Sequence, residues 1–280
     1  MKIQFKEGKP IIKLCLAGIY GRMGMMVAEL TKTDPEISVA TGIENPTKAD
    51  QYGRIRNEVL IIFPPKDHLE NISDLLKSAD VFLIFHNDPE AVVPQTAIAA
   101  QCKVATIIAT TGLSQTQLNE LRKLSDGIPI LQATNFSLGV TVLNHLVNLA
   151  AKFLPLNYQT EIIEEHHSRK LDAPSGTAQT LIQAICDARF SSPEFAVCCG
   201  RQGRSDAPRP NGQIGVHSIR AGNITGNHEV VFAGPAEVLR LRHEAQGPEF
   251  FAQGALTAVK WLARQEKPGW YMMEDVLGLK

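Results

Sequence analysis

The sequence predicts an α/β protein in which a parallel sheet forms the first half and a second domain follows. Between Ile11 and Leu124, short β-rich runs alternate with helical patterns, which is typical of βαβ units. After Asn135 the pattern changes to a long amphipathic stretch. Three runs of near period-2 polarity then follow between Gln213 and Arg242, and they predict antiparallel strands with one polar face.

The individual elements follow from the spacing of their apolar residues. Runs rich in apolar and β-branched residues predict strands at Ile11–Ala17, Ser38–Ile43, Val81–Phe85, Val104–Ile108 and Thr160–His167. Helical spacing predicts helices at Met25–Thr31, Ala91–Ala100, Ser114–Leu124, Val140–Leu154, Thr180–Ala188 and Phe250–Arg264. The Pro268–Gly269 pair is expected to stop the last helix.

Composition and charge exclude several classes of protein. The 280 residues suffice for one large or two modest domains at about 150 residues each. A formal charge of −1 argues against a protein that binds nucleic acid or anionic membranes. No apolar run approaches the ~18 residues of a membrane span, and no stretch near the N-terminus resembles a signal peptide. Five cysteines without CxxC spacing are typical of reduced thiols, so we expect a cytoplasmic protein.

Three glycines follow the first predicted strand and lead into the first helix. Gly18, Gly21 and Gly24 would let backbone N–H groups approach a phosphate closely, and the helix N-terminus adds partial positive charge. The spacing is GxxGxxG rather than GxGxxG, with Tyr20 at the second glycine position, so a tight βα turn is the alternative. The position between a strand and a helix favours a dinucleotide site.

Glu44 lies at the end of the second predicted strand, 20 residues after Gly24. An acidic residue at this distance accepts hydrogen bonds from the ribose hydroxyls of adenosine, and the alternative is a surface glutamate. Asn45 follows, so no arginine lies directly where it would best pair with a 2′-phosphate, although Arg22 and Lys48 are candidates. We therefore predict the use of NADH, or of both NADH and NADPH.

A segment that begins in the fifth predicted strand and extends beyond it, from Glu161 to Ala178, carries the densest group of reactive side chains. Ser175, Gly176 and Thr177 lie ahead of a helix, where hydroxyl and N–H groups bind anions, and Lys170 adds a full positive charge. These residues suit a substrate that bears carboxylates. The His166–His167 pair provides a general acid near neutral pH.

The same segment also fits a purely structural role. Ser175 can cap a helix, and the charged residues from Glu164 to Lys170 can form a solvated cluster. A metal site is disfavoured, because adjacent histidines on an extended segment point to opposite faces and neither HExxH nor paired cysteines support them. The Gly-x-Ser-x-Gly motif of serine hydrolases and the Walker loop are absent from the sequence.

Several motifs resemble, in order, those of the 4-hydroxy-tetrahydrodipicolinate reductase family, also called dihydrodipicolinate reductases. The most specific is Glu164-Glu165-His166-His167 through Lys170-Leu-Asp172-Ala-Pro-Ser-Gly-Thr-Ala178. The others are Gly18 to Gly24, Thr110 to Gly112, Thr134 to Ser137, Gly215 to Gly226, and Phe251 to Ala255 through Asp275-Val-Leu-Gly. The resemblance covers nearly the whole chain after about residue 12.

The resemblance implies an NAD(P)H-dependent reductase that forms tetrahydrodipicolinate in the diaminopimelate route to lysine. It implies that His166 is the proton donor and Lys170 its electrostatic partner. The residues implied to bind the dicarboxylate substrate are His167, Ser175, Gly176 and Thr177. The residues implied to bind the nicotinamide cofactor are Gly18, Tyr20, Gly21, Arg22, Met23, Glu44, Thr110, Thr111, Gly112, Thr134, Asn135 and Phe136.

The fold that the resemblance implies has two domains and a homotetrameric assembly. Residues 1–135 and 251–280 would form a Rossmann-type dinucleotide-binding domain, and residues 136–250 an α+β domain with an open mixed sheet for substrate binding and tetramerisation. Residues 84–87 and Ala109 depart from the family pattern, both on the cofactor side. Because of these departures, a second hypothesis is a catalytically weak sensor that binds NAD(P)H and dicarboxylates. A third hypothesis is a related dehydrogenase that acts on another carboxylate.

Overall fold

The computed structural model describes residues 5–6, 9–45, 47, 60–62, 72–189 and 196–279. Within these residues the strands are, in chain order, β1 (Phe5–Lys6), β2 (Lys9–Pro10), β3 (Ile12–Ala17), β4 (Ile37–Ile43), β5 (Leu60–Ile62), β6 (Val81–Ile84), β7 (Ala105–Ile108), β8 (Pro129–Gln132), β9 (Gln159–His166), β10 (Val197–Cys199), β11 (Ile214–Arg220), β12 (Asn227–Ala233), β13 (Val238–Glu244) and β14 (Gly269–Tyr271). The helices are α1 (Arg22–Thr31), α2 (Ile72–Leu76), α3 (Pro89–Gln101), α4 (Gln115–Leu124), α5 (Leu138–Phe153), α6 (Gly176–Arg189), α7 (Glu249–Leu262) and α8 (Met273–Leu277). None of the helices in these ranges has both the length and the apolar character that crossing a bilayer requires.

The chain divides into two compact units. The first comprises Met1–Ser137 together with Glu249–Lys280, and the second comprises Leu138–Pro248. The sequence predicts boundaries at residues 136 and 250, and the boundaries in the structure lie at 138 and 248.

Within the described residues, seven strands form the sheet of the first unit, in the order β14-β8-β7-β6-β3-β4-β5. All neighbouring strands run parallel, which confirms the predicted parallel sheet. Parallel sheets are covered on both faces, and every residue of β6 is accordingly buried. The strand order reverses between β3 and β6. In open α/β sheets, ligands bind in the crevice at the carboxyl ends of the strands at such a reversal.

Three strands of this sheet were not expected from the sequence. They are β5, β8 and β14, each only three or four residues long. Runs of this length are too short to show a period of two residues, so only their pairing with longer neighbours reveals them. The strand β14 begins at Gly269, which we expected only to stop the preceding helix, and it pairs in parallel with β8.

The sheet of the second unit is mixed, as expected, with the order β10-β11-β9-β12-β13. The strand β12 is antiparallel to β9 and β13, but β11 is parallel to both β9 and β10. The expectation of antiparallel pairing is therefore wrong for β11. Helix α6 follows β9 and returns the chain to the start of the sheet, and such a crossover joins parallel strands.

One face of β9 is buried and the other is partly exposed. Thr160, Ile162, Glu164 and His166 are buried, and the residues between them are more exposed. Ile162 packs in a hydrophobic core with residues of α5, α6, β11 and β12. Glu164 and His166 therefore lie at the carboxyl end of a strand, on the face that the two helices cover.

Candidate functional site

The glycine turn of the first unit joins β3 to α1 at the crevice of the parallel sheet. Gly18 has a φ of +81°, and a Cβ there would lie 2.7 Å from the carbonyl oxygen of Phe85. A Cβ at Gly24 would lie 2.1 Å from the carbonyl oxygen of Gly18, so α1 packs against the turn only because this residue is glycine. The turn thus leaves the N-terminus of α1 open to close approach, and partial positive charge at a helix N-terminus favours an anion such as a phosphate.

A cavity of about 960 Å³ lies at this end of the sheet. Nine of the residues that the sequence assigns to the cofactor line it, namely Gly18, Gly21, Arg22, Met23, Glu44, Thr111, Thr134, Asn135 and Phe136. The cavity volume lies in the range of pockets that enclose small molecules and cofactors. Sequence reasoning did not assign His86, Asp88 or Gln95 to the site, although all three also line the cavity.

The remaining three predicted cofactor residues, Tyr20, Thr110 and Gly112, are not among the residues that line the cavity. Tyr20 is buried, and its backbone N–H donates to Oε2 of Glu44 at 2.7 Å. Thr110 is also buried, and its hydroxyl donates to the carbonyl oxygen of His86 at 2.7 Å. In this structure Tyr20 and Thr110 therefore contact residues of the cavity wall, and their assignment to the cofactor stays a prediction.

The carboxylate of Glu44 is held in place by two backbone N–H groups. Tyr20 N donates to Oε2 at 2.7 Å, and Asn45 N donates to Oε1 at 2.8 Å. A carboxylate fixed in this way at the end of the second strand is the type of group that accepts hydrogen bonds from ribose hydroxyls in dinucleotide sites. Arg22 lines the cavity, whereas Lys48 lies outside the described residues. The described part of the cavity therefore includes the fixed carboxylate of Glu44 and the basic side chain of Arg22.

The departure from the family pattern at residues 84–87 forms a defined wall of the cavity. Nδ1 of His86 accepts a hydrogen bond from Asp88 N at 3.3 Å, so Nε2 carries the proton and donates to Oε1 of Gln95 at 2.9 Å. Asp88 in turn caps α3, accepting from Glu90 N at 3.2 Å. His86 thus fixes the start of a helix beside the cavity.

In the second unit, His166 forms a hydrogen-bonded pair with Glu164 of the same strand. Nδ1 of His166 lies 2.5 Å from Oε2 of Glu164. Arg220 binds the same carboxylate through two hydrogen bonds of 2.7 and 2.8 Å, and Ser175 N donates to it at 3.2 Å. The carboxylate only accepts, so the imidazole proton lies on Nδ1, and Nε2 is the atom that exchanges a proton.

The charges around this pair shift both pKa values. Burial alone would raise the pKa of Glu164, but hydrogen bonds from Arg220, Ser218 and His166 outweigh it and hold the pKa at about 2. Burial lowers the pKa of His166; Glu164 raises it, and the positive charges of Lys170 and Arg220 lower it. Glu164 is therefore ionised at neutral pH, and it counteracts the loss of the proton from His166.

A glycine leaves room beside the exchangeable nitrogen of His166. A Cβ at Gly226 would lie 3.1 Å from Nε2 and 3.3 Å from Cδ2 of the imidazole. These distances are shorter than ordinary van der Waals contacts. The absence of a side chain at Gly226 therefore keeps one side of Nε2 unobstructed.

Ser175 places the N-terminus of α6 beside the same carboxylate. Its Oγ accepts a hydrogen bond from Ala178 N at 3.2 Å, and its carbonyl oxygen accepts from Gln179 N at 2.9 Å. The helix begins at Gly176, four residues before the predicted start at Thr180, because the serine cap extends it. The structure thus brings two predicted site residues, His166 and Ser175, onto one acidic side chain.

Lys170 and His167 have different surroundings from His166. Nζ of Lys170 lies 2.9 Å from Oδ1 of Asp172, and this hydrogen bond lowers the pKa of Asp172. Lys170 is partly exposed, and it acts on His166 through its charge rather than through a hydrogen bond in this structure. Among the described residues, none forms a hydrogen bond with the buried Nδ1 of His167.

Glu164, His166 and His228 also lie close enough together to hold a metal ion, with one ligand atom from each within 4.8 Å of the others. The donor chemistry argues against a metal here. Both oxygens of Glu164 already bind the guanidinium of Arg220, and Nε2 of His228 lies 2.9 Å from Oγ of Ser175. A metal ion would have to compete with a buried ion pair.

Sequence reasoning missed four residues of this site: Glu164, Arg220, Gly226 and His228. Glu164 is quoted in the family motif but is given no role of its own beyond a solvated charge cluster, whereas its side chain has no exposed surface. The period-2 pattern of β9 could have identified Glu164 as buried, because it places this glutamate on the same face of the strand as Ile162. An acidic residue on the apolar face of a strand predicts a buried partner, although not which residue supplies it.

Comparisons with known proteins agree with this geometry. Residues 12–136 match the family description "Dihydrodipicolinate reductase, N-terminus", and residues 139–277 match "Dihydrodipicolinate reductase, C-terminus". The 4-hydroxy-tetrahydrodipicolinate reductase of Caldanaerobacter subterraneus subsp. tengcongensis is 39% identical over 95% of this chain and 98% of its own length. The corresponding reductase of Aquifex aeolicus is 36% identical over 96% and 99%. A dipicolinate-bound dihydrodipicolinate reductase from Paenisporosarcina shares the fold, with a TM-score of 0.76 and 24% identity over 94% of this chain and 97% of that one.

Proposed function

The chain belongs to the dihydrodipicolinate reductase family, and from this premise we propose that it reduces 4-hydroxy-tetrahydrodipicolinate to tetrahydrodipicolinate. The reaction adds a hydride and a proton to the substrate and releases water, in the diaminopimelate route to lysine. The observation that supports the proposal most directly is the buried pair of His166 and Glu164, because it provides a positioned proton donor.

The cavity of the first unit fits a nicotinamide dinucleotide, which supplies the hydride when it is bound. The backbone at Gly18 and Gly24 provides the close approach that a pyrophosphate needs, and α1 provides the favourable dipole. Glu44 would accept hydrogen bonds from the adenosine ribose. Either NADH or NADPH serves as the cofactor, and the charge of Glu44 favours NADH because a 2′-phosphate would meet a like charge.

In the second unit, His166 would donate the proton from Nε2 while Glu164 stabilises the charged imidazole. The dicarboxylate would be held by Lys170, His167 and the start of α6. Ser175, Gly176 and Thr177 provide the hydroxyl and N–H groups of that helix N-terminus, and a Cβ at Gly176 would meet no described atom within 4 Å. A bound dianion would raise the pKa of His166, which favours its acid form.

We also propose that the second unit forms a homotetramer. The strand β13 is an edge strand of seven residues, paired only with β12 among the described strands, and it carries Val238 and Leu239, which are 54% and 40% exposed. An unpaired edge of this length pairs readily with another chain. Because no membrane or nucleic-acid contact is expected, a second copy of this chain is the partner we favour.

Sedimentation and light scattering would test the assembly, with Val238→Lys expected to weaken it. A monomer at micromolar concentration would contradict the homotetramer. A cytoplasmic location is also proposed, since Cys15 is a buried free thiol that needs no oxidising compartment.

Steady-state reduction of enzymatically generated substrate with NADH and with NADPH would test the activity. A parallel titration of NADH fluorescence, with and without pyridine-2,6-dicarboxylate, measures binding alone. We expect turnover with both cofactors and tighter NADH binding in the presence of the dicarboxylate. Binding without turnover would support a sensor, and turnover of another carboxylate with no preference for the dipicolinate skeleton would support a different dehydrogenase.

A further inference from the structure

The hydroxyl of Ser175 has two hydrogen-bonding partners in the interior of the second unit. Its Oγ lies 2.9 Å from Nε2 of His228 and accepts a hydrogen bond from Ala178 N at 3.2 Å. Ser175 and His228 are only 2% and 4% exposed. Because neither side chain is free to rotate into solvent, the direction of the hydroxyl proton depends on which nitrogen of His228 is protonated.

The surroundings of His228 favour a proton on Nε2. Burial lowers the pKa of His228 to about 4, with a further contribution from His166, so the ring is neutral near pH 7 and carries one proton. Among the described residues, none forms a hydrogen bond with the buried Nδ1 of His228. A buried N–H without an acceptor is rare in folded proteins, and a proton on Nε2 avoids one because Ser175 Oγ accepts it.

We propose that His228 is a positioning residue that turns the Ser175 hydroxyl into a dedicated donor for a substrate carboxylate. The N–H groups of His228 and Ala178 together occupy both acceptor sites of Oγ. The single hydroxyl proton is then left to point away from both. This inference rests on the proposed function, which places a dicarboxylate at the N-terminus of α6.

The position of His228 agrees with an indirect role. The strand β12 places it opposite Glu164 in the sheet, and its ring meets that of His166 edge to face with centroids 5.1 Å apart. His228 therefore contacts both the imidazole of His166, the proposed proton donor, and the hydroxyl of Ser175. With a proton on Nδ1 instead, the Ser175 hydroxyl would donate to the imidazole, and the substrate would lose one donor.

A mutant cycle tests this role. His228→Leu removes the N–H group, whereas His228→Gln retains an amide N–H that can reach Ser175. We expect His228→Leu to raise both KM and the Kd of pyridine-2,6-dicarboxylate in the NADH complex by about tenfold, with kcat changed by less than about threefold. His228→Gln should restore most of the affinity. In a Ser175→Ala background, His228→Leu should cause no further loss.

Two results would overturn the proposal. One is an equal loss in the Ser175→Ala background, since the effect would then not pass through the hydroxyl. The other is a proton on Nδ1 of His228, which two-bond ¹H–¹⁵N correlation spectra of the wild-type protein detect even if the variants fail to fold. His217→Gln, on the partly exposed face of the sheet, is the control and should leave KM unchanged. Wild-type protein without turnover or dicarboxylate binding would contradict the proposed function itself, whereas normal wild-type activity with an unaffected His228→Leu contradicts only the role of His228.

Discussion

Glu164 and His166 lie two residues apart on one strand, and Oε2 of the carboxylate lies 2.5 Å from Nδ1 of the imidazole. The spacing is significant because alternate residues of a strand point to the same face, so both side chains enter the covered face of the sheet. There Arg220 holds the carboxylate, and the carboxylate holds the imidazole. A short run of sequence therefore places His166, the proposed proton donor, beside the carboxylate that orients its imidazole.

Replacing His166 tests the proton donor directly. We expect His166→Gln to lower kcat by about 10² to 10³-fold, because glutamine cannot donate a proton as an acid, while NADH binding remains nearly unchanged. Steady-state kinetics and NADH fluorescence measure the two effects separately. Unchanged turnover would remove His166 from the mechanism.

Removing the charge of Glu164 is expected to shift the pH dependence of the reaction. Glu164 raises the pKa of His166, so in Glu164→Gln the imidazole loses its proton at a lower pH. The alkaline limb of the kcat/KM profile should therefore move to lower pH. Glu165→Gln is the matched control, because Glu165 points to the opposite face and contacts Asn227 instead. A profile that does not move, or that moves equally in the control, would contradict the pairing.

The same carboxylate should affect stability at low pH. The pKa of Glu164 is about 2 in the folded protein, below its ordinary value of 4.5, so its ionised form stabilises the fold above pH 4.5. That contribution is lost as the pH falls from 4.5 towards 2. The difference in unfolding free energy between wild type and Glu164→Gln should therefore shrink over this range, as denaturant titrations would show.

Removing Lys170 should shift the pH profile of kcat/KM in the direction opposite to that expected for Glu164→Gln. Its positive charge lowers the pKa of His166, so in Lys170→Ala the alkaline limb should move to higher pH. We also expect kcat/KM to fall further than in His166→Gln, because the dicarboxylate loses a full counter-charge in a partly desolvated site. Arg169→Ala provides the control, since Arg169 is bound to Asn223 at the surface. Retained kcat/KM would contradict the electrostatic role of Lys170.

The two sheets and most of their strands could be predicted from residue patterns. The pairing direction of β11 and the contact between Arg220 and Glu164 could not. The parallel order follows from alternating strands and helices, but β11 pairs in parallel because of where α6 returns the chain. The segment from His166 to Thr177 led to the candidate site. Arg220 lies 56 residues from Glu164 in the sequence, and only the register of β11 beside β9 brings them together.

Enlarging Gly226 would test whether free space beside Nε2 of His166 matters. The added methyl of Gly226→Ala would lie 3.1 Å from Nε2, so the imidazole or the backbone must move by a few tenths of an ångström. We expect kcat to fall by about tenfold, equivalent to about 1.4 kcal/mol, with NADH binding unchanged. Gly212→Ala is the control, because Gly212 also has a positive φ but a Cβ there meets no described atom within 4 Å. An equal effect in both variants would indicate a general loss of stability.

The charge of Glu44 should set the preference between the two cofactors. In Glu44→Gln the like charge facing a 2′-phosphate is removed, so the ratio of kcat/KM for NADPH to that for NADH should rise by about tenfold. Part of this change should come from weaker NADH use, because a glutamine amide cannot accept hydrogen bonds from both Tyr20 N and Asn45 N. Glu29→Gln, on the exposed face of α1, removes a charge outside the cavity and should leave the ratio unchanged. If the ratio stays constant in Glu44→Gln, the ribose end of the cofactor does not lie against this carboxylate, and the residue only holds the glycine turn.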